Sequence, residues 1–104
     1  MKVEWDSKAD RARESIADYI CESFGAKRMR QFRREVDQAV KMIVRHPNIG
    51  PIDPLFADRP KAYRSVIVGG LSKMVYSVEG DEIFIAAMWD CRRDPESQVA
   101  GVNQ

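Results

Sequence analysis

The spacing of the apolar residues changes once along the chain, and this change restricts the possible folds more than any other feature. From Ala9 to Val44 apolar residues recur every three or four positions, which is typical of amphipathic helices. From Ala62 to Trp89 they lie in three short segments separated by glycine-containing turns, which is typical of strands. Residues 47–61 lie between and contain four prolines and one glycine. Since 104 residues suit a single small domain, both kinds of element must share one core.

The first half of the chain predicts two helices joined by a very short link. Ser7 is suited to capping the first helix, and Gly25 is suited to ending it, because glycine accepts the left-handed conformation. The second helix begins near Ala26 and ends just before Pro47, which cannot continue it. Because only one or two residues separate the helices, we expect them to pack as an antiparallel hairpin.

Four strands are predicted, one before the helices and three after the proline-rich segment. Residues 2–5 alternate polar and apolar, and residues 62–68, 71–78 and 82–89 are predicted to form the other three strands. Gly69-Gly70 and Gly80-Asp81 supply tight turns between the last three strands. Both faces of the last strand are apolar, so we expect it in the centre of the sheet. Strict alternation groups its residues as Ile83, Ile85, Ala87 and Trp89 against Phe84, Ala86 and Met88.

These elements predict an α+β fold with the order strand, helix, helix and three-stranded antiparallel meander. We expect the helical hairpin to pack on one face of a small antiparallel sheet. The domain is predicted to cover residues 1–95, and residues 96–104 are expected to form a flexible tail.

Composition narrows the class of protein. No apolar run approaches the roughly 20 residues of a membrane span, and the first residues contain no secretory signal. Two cysteines and one histidine do not make a metal-ligand cluster, so we expect neither metal nor cofactor. The expected compartment is the cytoplasm.

Charge is concentrated in the second predicted helix. Residues 27–46 carry seven basic and two acidic side chains, a balance of +5, whereas the segments on either side each carry −2. The candidate binding residues in this block are Lys27, Arg28, Arg30 and Arg34. They indicate an acidic protein or a phosphate backbone as partner, but a solvated face that balances the acidic first helix explains them equally well. No aromatic residue interrupts the exposed basic positions, so stacking on bases is not indicated.

The order of several short segments resembles the RelE/ParE superfamily of bacterial type II toxins, which includes plasmid-stabilization toxins. The resemblance extends over most of the chain and depends on the following segments: Val3-Glu4-Trp5, residues 12–20, Phe24-Gly25, Phe32 to Val36, residues 46–50, Tyr63-Arg64, residues 73–78 and residues 88–95. It implies a toxin that a cognate antitoxin neutralises by wrapping it with an extended segment and a helix. ParE-like members inhibit DNA gyrase, whereas RelE-like members cleave messenger RNA on the ribosome.

The residues that the resemblance assigns to catalysis are only partly present. Arg64, Lys73 and Arg92 match the cationic positions of nuclease members and could hold a phosphate. Cys91 stands where those members have His or Lys. The region of their tyrosine holds Pro95 and Glu96, so general acid–base groups are missing.

This departure favours the ParE-like activity, inhibition of gyrase. The first alternative is a RelE-like, ribosome-dependent endoribonuclease. The second is a degenerate, non-toxic protein that only binds its antitoxin.

Other candidate contact residues lie on the predicted strands. Trp5 and Tyr76 are candidates for a groove that receives the antitoxin, because aromatic residues are common interface anchors. Core packing explains Trp5 equally well, and it is the preferred role for Trp89. Arg92 and Arg93 point to opposite faces if the strand continues, so Arg93 is a candidate contact for an antitoxin carboxylate or for the target.

Overall fold

The computed structural model describes residues 1–90. Its elements are β1 (Lys2–Trp5), α1 (Ser7–Phe24), α2 (Ala26–Arg45), a 3-10 turn (Pro54–Phe56), β2 (Arg64–Val68), β3 (Ser72–Glu79) and β4 (Glu82–Asp90). This order confirms the predicted α+β fold. The predicted domain end at residue 95 and the predicted tail, residues 96–104, lie outside the described residues.

The four strands form one sheet in the order β1-β4-β3-β2. β2, β3 and β4 are the expected antiparallel meander, and β4 is internal, as its two apolar faces predict. β1 pairs with β4 in parallel, so the sheet is mixed and not wholly antiparallel as expected. The reason is the connection, because a parallel pair requires a long crossover and the helical hairpin with β2 and β3 supplies it.

Asp6 directly precedes the helical hairpin, and Gly25 separates its two helices. The predicted cap at Ser7 is wrong, because Ser7 is already helical and Asp6 occupies the cap position without a side-chain hydrogen bond. The Asp6 N–H donates to the Ile85 carbonyl at 2.9 Å, which fixes it in extended conformation beside the sheet. Gly25 alone separates α1 from α2, as predicted, and its N–H donates to the Cys21 carbonyl at 3.0 Å.

Both faces of the sheet carry a hydrophobic core. The helices cover one face, and the buried residues of this first core include Phe32, Val36, Ile43, Met74, Tyr76, Ile83, Ile85 and Met88. The segment between α2 and β2 crosses to the other face, where the second core contains Phe56, Tyr63, Val75, Ala86, Ala87 and Trp89. The proline-rich segment is therefore a crossover that also covers the sheet.

A β-bulge in β4 changes which side chains share a face. Val75 pairs with Ala87, whereas the next residue of β3, Tyr76, pairs with Ile85, so Ala86 is the extra residue. The predicted alternation is correct up to Ala86 and wrong from Ala87 onward. Met88 joins the first core, and Ala87 and Trp89 join the second.

Candidate functional site

Arg64 and Tyr76 hold the start of the crossover against the sheet. The Tyr76 hydroxyl donates to the Pro47 carbonyl at 2.7 Å and accepts from the Gly50 N–H at 3.0 Å. The Arg64 guanidinium donates to the Gly50 carbonyl at 2.8 Å. A Cβ atom at Gly50 would lie 2.6 Å from the Ser65 carbonyl oxygen, so a larger residue does not fit. Both side chains therefore serve the local fold.

Lys73 forms an ion pair with a buried carboxylate. Its Nζ lies 2.8 Å from Oδ2 of Asp53, a residue that is only 2% exposed. Burial would raise the pKa of Asp53, but the hydrogen bonds from Lys73 and from the Leu55 N–H, together with the charge of Lys73, outweigh it and lower the pKa. The Lys73 Nζ also lies 5.8 Å from the centroid of the Trp89 ring. The charge of Lys73 is therefore neutralised within the domain.

Arg64 and Lys73 do not meet. Arg64 pairs with Tyr76 across the β2–β3 ladder, so it shares the helix-covered face with Tyr76. Lys73 is three residues away from Tyr76 on β3 and points to the opposite face, where Asp53 lies. Arg92, the third candidate for holding a phosphate, lies outside the described residues. No shared phosphate site is formed by the two candidates that the structure describes.

An apolar groove is open between the helical hairpin and one end of the sheet. Its volume is about 690 Å³, and its apolar lining includes Ile16, Tyr19, Ile20, Phe24, Phe32, Leu71 and Met88. Phe24 is 67% exposed, Leu71 is 54% exposed and Tyr19 is 53% exposed. Large exposed apolar side chains that converge on one cleft are typical of a surface that another molecule covers. We call this surface the apolar groove.

Comparison with known proteins identifies the family. The family described as "ParE toxin of type II toxin-antitoxin system, parDE" matches residues 3–95. The chain belongs to the ParE toxin family. It is therefore the toxin component of a type II toxin–antitoxin system, and an antitoxin is its partner.

A solved structure agrees with this assignment at the level of the fold. The toxin is similar to a chain from the "Chromosomal ParDE TA system from P. aeruginosa", with a TM-score of 0.70 and 21% sequence identity. The match covers 86% of this toxin and 95% of that chain. Comparison with curated proteins gives no match.

The two aromatic candidates of the toxin occupy different environments. Trp5 is half-buried against the first core, and the Arg13 guanidinium lies 4.4 Å from its ring centroid. Tyr76 has no exposed surface, and its hydroxyl is used by Pro47 and Gly50. Tyr76 therefore does not line a groove as expected, because β3 is an internal strand and the face that carries Tyr76 is covered by the helices.

The basic residues of α2 divide into paired and unpaired groups. Arg33 makes two hydrogen bonds to Glu14 of α1, at 2.9 and 3.0 Å, which lower the pKa of Glu14. Arg28 pairs with Glu35 at 3.3 Å. The remaining candidates are Lys27, Arg30 and Arg34; they are exposed and form no salt bridge with any residue between 1 and 90. Balancing of the acidic first helix therefore explains Arg33 but not these three.

Three features of the site were not predicted. Asp53 precedes a proline in an irregular segment, and nothing in the sequence pairs it with Lys73, twenty positions later. The sequence predicts Leu71 at the start of a strand, but it lies in the turn before β3, where its side chain faces the apolar groove. Phe24 continues the helical spacing of apolar residues in the first helix, but it is 67% exposed; its place directly before Gly25, where the chain leaves the helix, is the available signal.

Two further observations concern the part of the chain that the structure describes. Within it, no three His, Cys, Asp or Glu side chains lie together as a metal site would require. None of the helices there has the length and apolar character needed to cross a membrane. Cys91 and Arg93 lie outside the described residues.

Proposed function

We propose that this toxin acts in the cytoplasm by binding and inhibiting DNA gyrase, and that its antitoxin covers the apolar groove. Membership of the ParE family supports the choice of target. The observation that carries the choice against RNA cleavage is the separation of Arg64 and Lys73 on opposite faces of the sheet.

RNA cleavage through the 2′-hydroxyl needs a base, an acid and cations that stabilise the charge of the phosphorane. Arg64 donates to the Gly50 carbonyl, and Lys73 is held by Asp53. The two cations therefore cannot contact the same phosphate, because each is bound within the domain on its own face of the sheet. The only histidine, His46, is at the C-terminal cap of α2, where its backbone N–H donates to the Met42 carbonyl at 2.9 Å, away from Arg64 and Lys73 in the sequence. A binding mechanism needs none of these groups.

The apolar groove fits one face of an amphipathic helix. Such helices insert side chains spaced three or four residues apart into hydrophobic clefts. Ile16, Ile20 and Phe24 on α1 already follow this spacing and line the groove from one side. Leu71 closes the groove from the sheet side. Covering these side chains removes apolar surface from water, which stabilises the complex.

The test is a gyrase supercoiling assay with relaxed plasmid, purified gyrase and increasing amounts of the toxin. We expect supercoiling to fall as the toxin is added, and the antitoxin encoded by the adjoining reading frame to restore it. Messenger RNA from cells that express the toxin should show no new ends in the ribosomal A site by primer extension. A-site cleavage without an effect on gyrase would overturn the proposal in favour of the endoribonuclease. Normal growth with neither effect would leave the non-toxic, antitoxin-binding function.

A variant in the apolar groove separates the two halves of the proposal. We expect Leu71→Glu to inhibit gyrase as the natural toxin does but to require at least roughly tenfold more antitoxin for neutralisation, because a carboxylate must be desolvated in the groove. Ile67→Glu is the matched control, since Ile67 is 58% exposed and does not line this groove. Equal neutralisation of both variants would place the antitoxin elsewhere.

A further inference from the structure

The face of α2 that points away from the core carries a row of cations. Its basic residues are Lys27, Arg30, Arg34, Lys41 and Arg45, with Gln38 between them. All six side chains are exposed. Successive members from Arg30 onward are separated by three or four positions, so they lie on one side of the helix. At a rise of about 1.5 Å per residue the row is about 27 Å long. We call it the basic ridge.

The charge of the basic ridge is not compensated by the rest of the described protein. None of its five cations makes a salt bridge with any residue from Met1 to Asp90. Of the two carboxylates on α2, Glu35 pairs with Arg28 and lies beside Gly69, the residue directly after β2. Asp37 is beside the ridge, and its negative charge contributes to raising the pKa of Arg33. The outer face of α2 is therefore a line of positive charge.

The composition of the basic ridge distinguishes between classes of partner. The centres of protein interfaces are apolar and depleted in lysine, whereas this row contains only cations and one amide. Single-stranded nucleic acid is held by stacking on aromatic side chains, and the row has none. A duplex presents regularly spaced phosphates that Lys and Arg contact without reading the bases. The ridge matches the last of these partners.

We propose that the basic ridge binds the phosphate backbone of duplex DNA. The choice of DNA over RNA rests on the proposed inhibition of gyrase, an enzyme that acts on duplex DNA. The contact is electrostatic and independent of sequence, so its affinity depends steeply on salt. For three to five neutralised phosphates, the association constant should fall roughly 40- to 500-fold between about 50 and 200 mM salt, from a slope of about −0.9 for each phosphate.

The experiment measures fluorescence anisotropy of a labelled DNA duplex of mixed sequence, titrated with the full-length toxin at several salt concentrations. The variant is Lys27→Gln, Arg30→Gln and Arg34→Gln together, because glutamine preserves helix propensity. The control removes the same charge from exposed positions on β1 and α1, by Lys2→Gln, Lys8→Gln and Arg11→Gln. We expect the ridge variant to bind at least roughly tenfold more weakly, with a salt slope lower by about 3, and the control to bind like the natural toxin.

Equal loss in the two triple variants would overturn the proposal, because net charge and not the ridge would then govern binding. Tighter binding of single-stranded DNA, of an RNA duplex or of polyglutamate would also overturn it. Thermal unfolding checks that both variants keep the stability of the natural toxin. The gyrase assay on the same proteins separates the two proposals. DNA binding without gyrase inhibition contradicts only the proposed function, and gyrase inhibition without DNA binding contradicts only the role of the ridge.

Discussion

Two buried tyrosines show how the contribution of a hydroxyl group to stability depends on its hydrogen-bond partners. Tyr63 and Tyr76 are 1% and 0% exposed, on opposite faces of the same sheet. The Tyr76 hydroxyl bonds to two backbone groups of the crossover, whereas the Tyr63 hydroxyl has no hydrogen-bond partner among the residues that the structure describes. Burial correspondingly raises the pKa of Tyr63.

Removing each hydroxyl should therefore have different effects. We expect Tyr76→Phe to lower the free energy of unfolding by about 1–3 kcal/mol, because the Pro47 carbonyl and the Gly50 N–H lose their partner. Tyr63→Phe should leave the free energy of unfolding unchanged or raise it slightly, because burying a hydroxyl without a hydrogen-bond partner is unfavourable. Urea unfolding of both variants measures the difference. Equal losses would mean that the Tyr76 hydrogen bonds do not stabilise the crossover.

The Asp53–Lys73 pair predicts how stability depends on pH. Because the pKa of Asp53 is lower in the folded chain than in the unfolded one, its charge stabilises the fold at neutral pH. This contribution is lost as the pH falls below about 4 and through the folded pKa. We expect Asp53→Asn to weaken that dependence in acid unfolding followed by circular dichroism.

Lys73→Met should reverse the dependence of stability on pH. It leaves the Asp53 carboxylate buried without its cation, which should cost about 3–5 kcal/mol at neutral pH. Burial then raises the pKa of Asp53, so the stability of this variant should increase as the solution is acidified from neutral pH. A variant that loses stability on acidification as the natural protein does would show that Lys73 does not determine the charge of Asp53.

The short link between the helices depends on one glycine. Gly25 has φ +97° and ψ 166°, a region that is almost exclusive to glycine. A Cβ atom there would have nothing within 4 Å, so a substitution strains only the backbone. This conformation lets α2 start directly after α1 and return along it.

Gly25→Ala should therefore lower the free energy of unfolding by about 1–3 kcal/mol through backbone strain alone. Thermal and urea unfolding measure this loss. D-Alanine at the same position, introduced by chemical synthesis, is the control, because a D-residue prefers positive φ. If D-alanine destabilised the protein as much as L-alanine, strain at this position would not be the cause.

The whole molecule separates its chemistry onto different surfaces. The helices and the crossover cover the two faces of the sheet. In this arrangement Arg64, Tyr76 and Lys73 make contacts within the domain. The apolar groove opens between the hairpin and one end of the sheet. The basic ridge lies on the outer side of α2, away from that core. An antitoxin in the groove therefore leaves most of the ridge accessible.

The sequence determined the features that depend on local periodicity and chain stiffness. The helical stripe, the alternation in the strands, Gly25 and Pro47 were sufficient to predict the elements, the hairpin and the internal position of β4. These follow from the sequence because each depends on residues within a few positions of one another.

Only the tertiary structure decided which predicted site residues remain available. The bulge at Ala86 reversed the faces of the last residues of β4, and the crossover brought Asp53 to Lys73. The parallel pairing of β1 with β4 was decided in the same way. The last two contacts join residues that are distant in the sequence, and all three features depend on how packing fills both faces of the sheet. No local pattern carries that information.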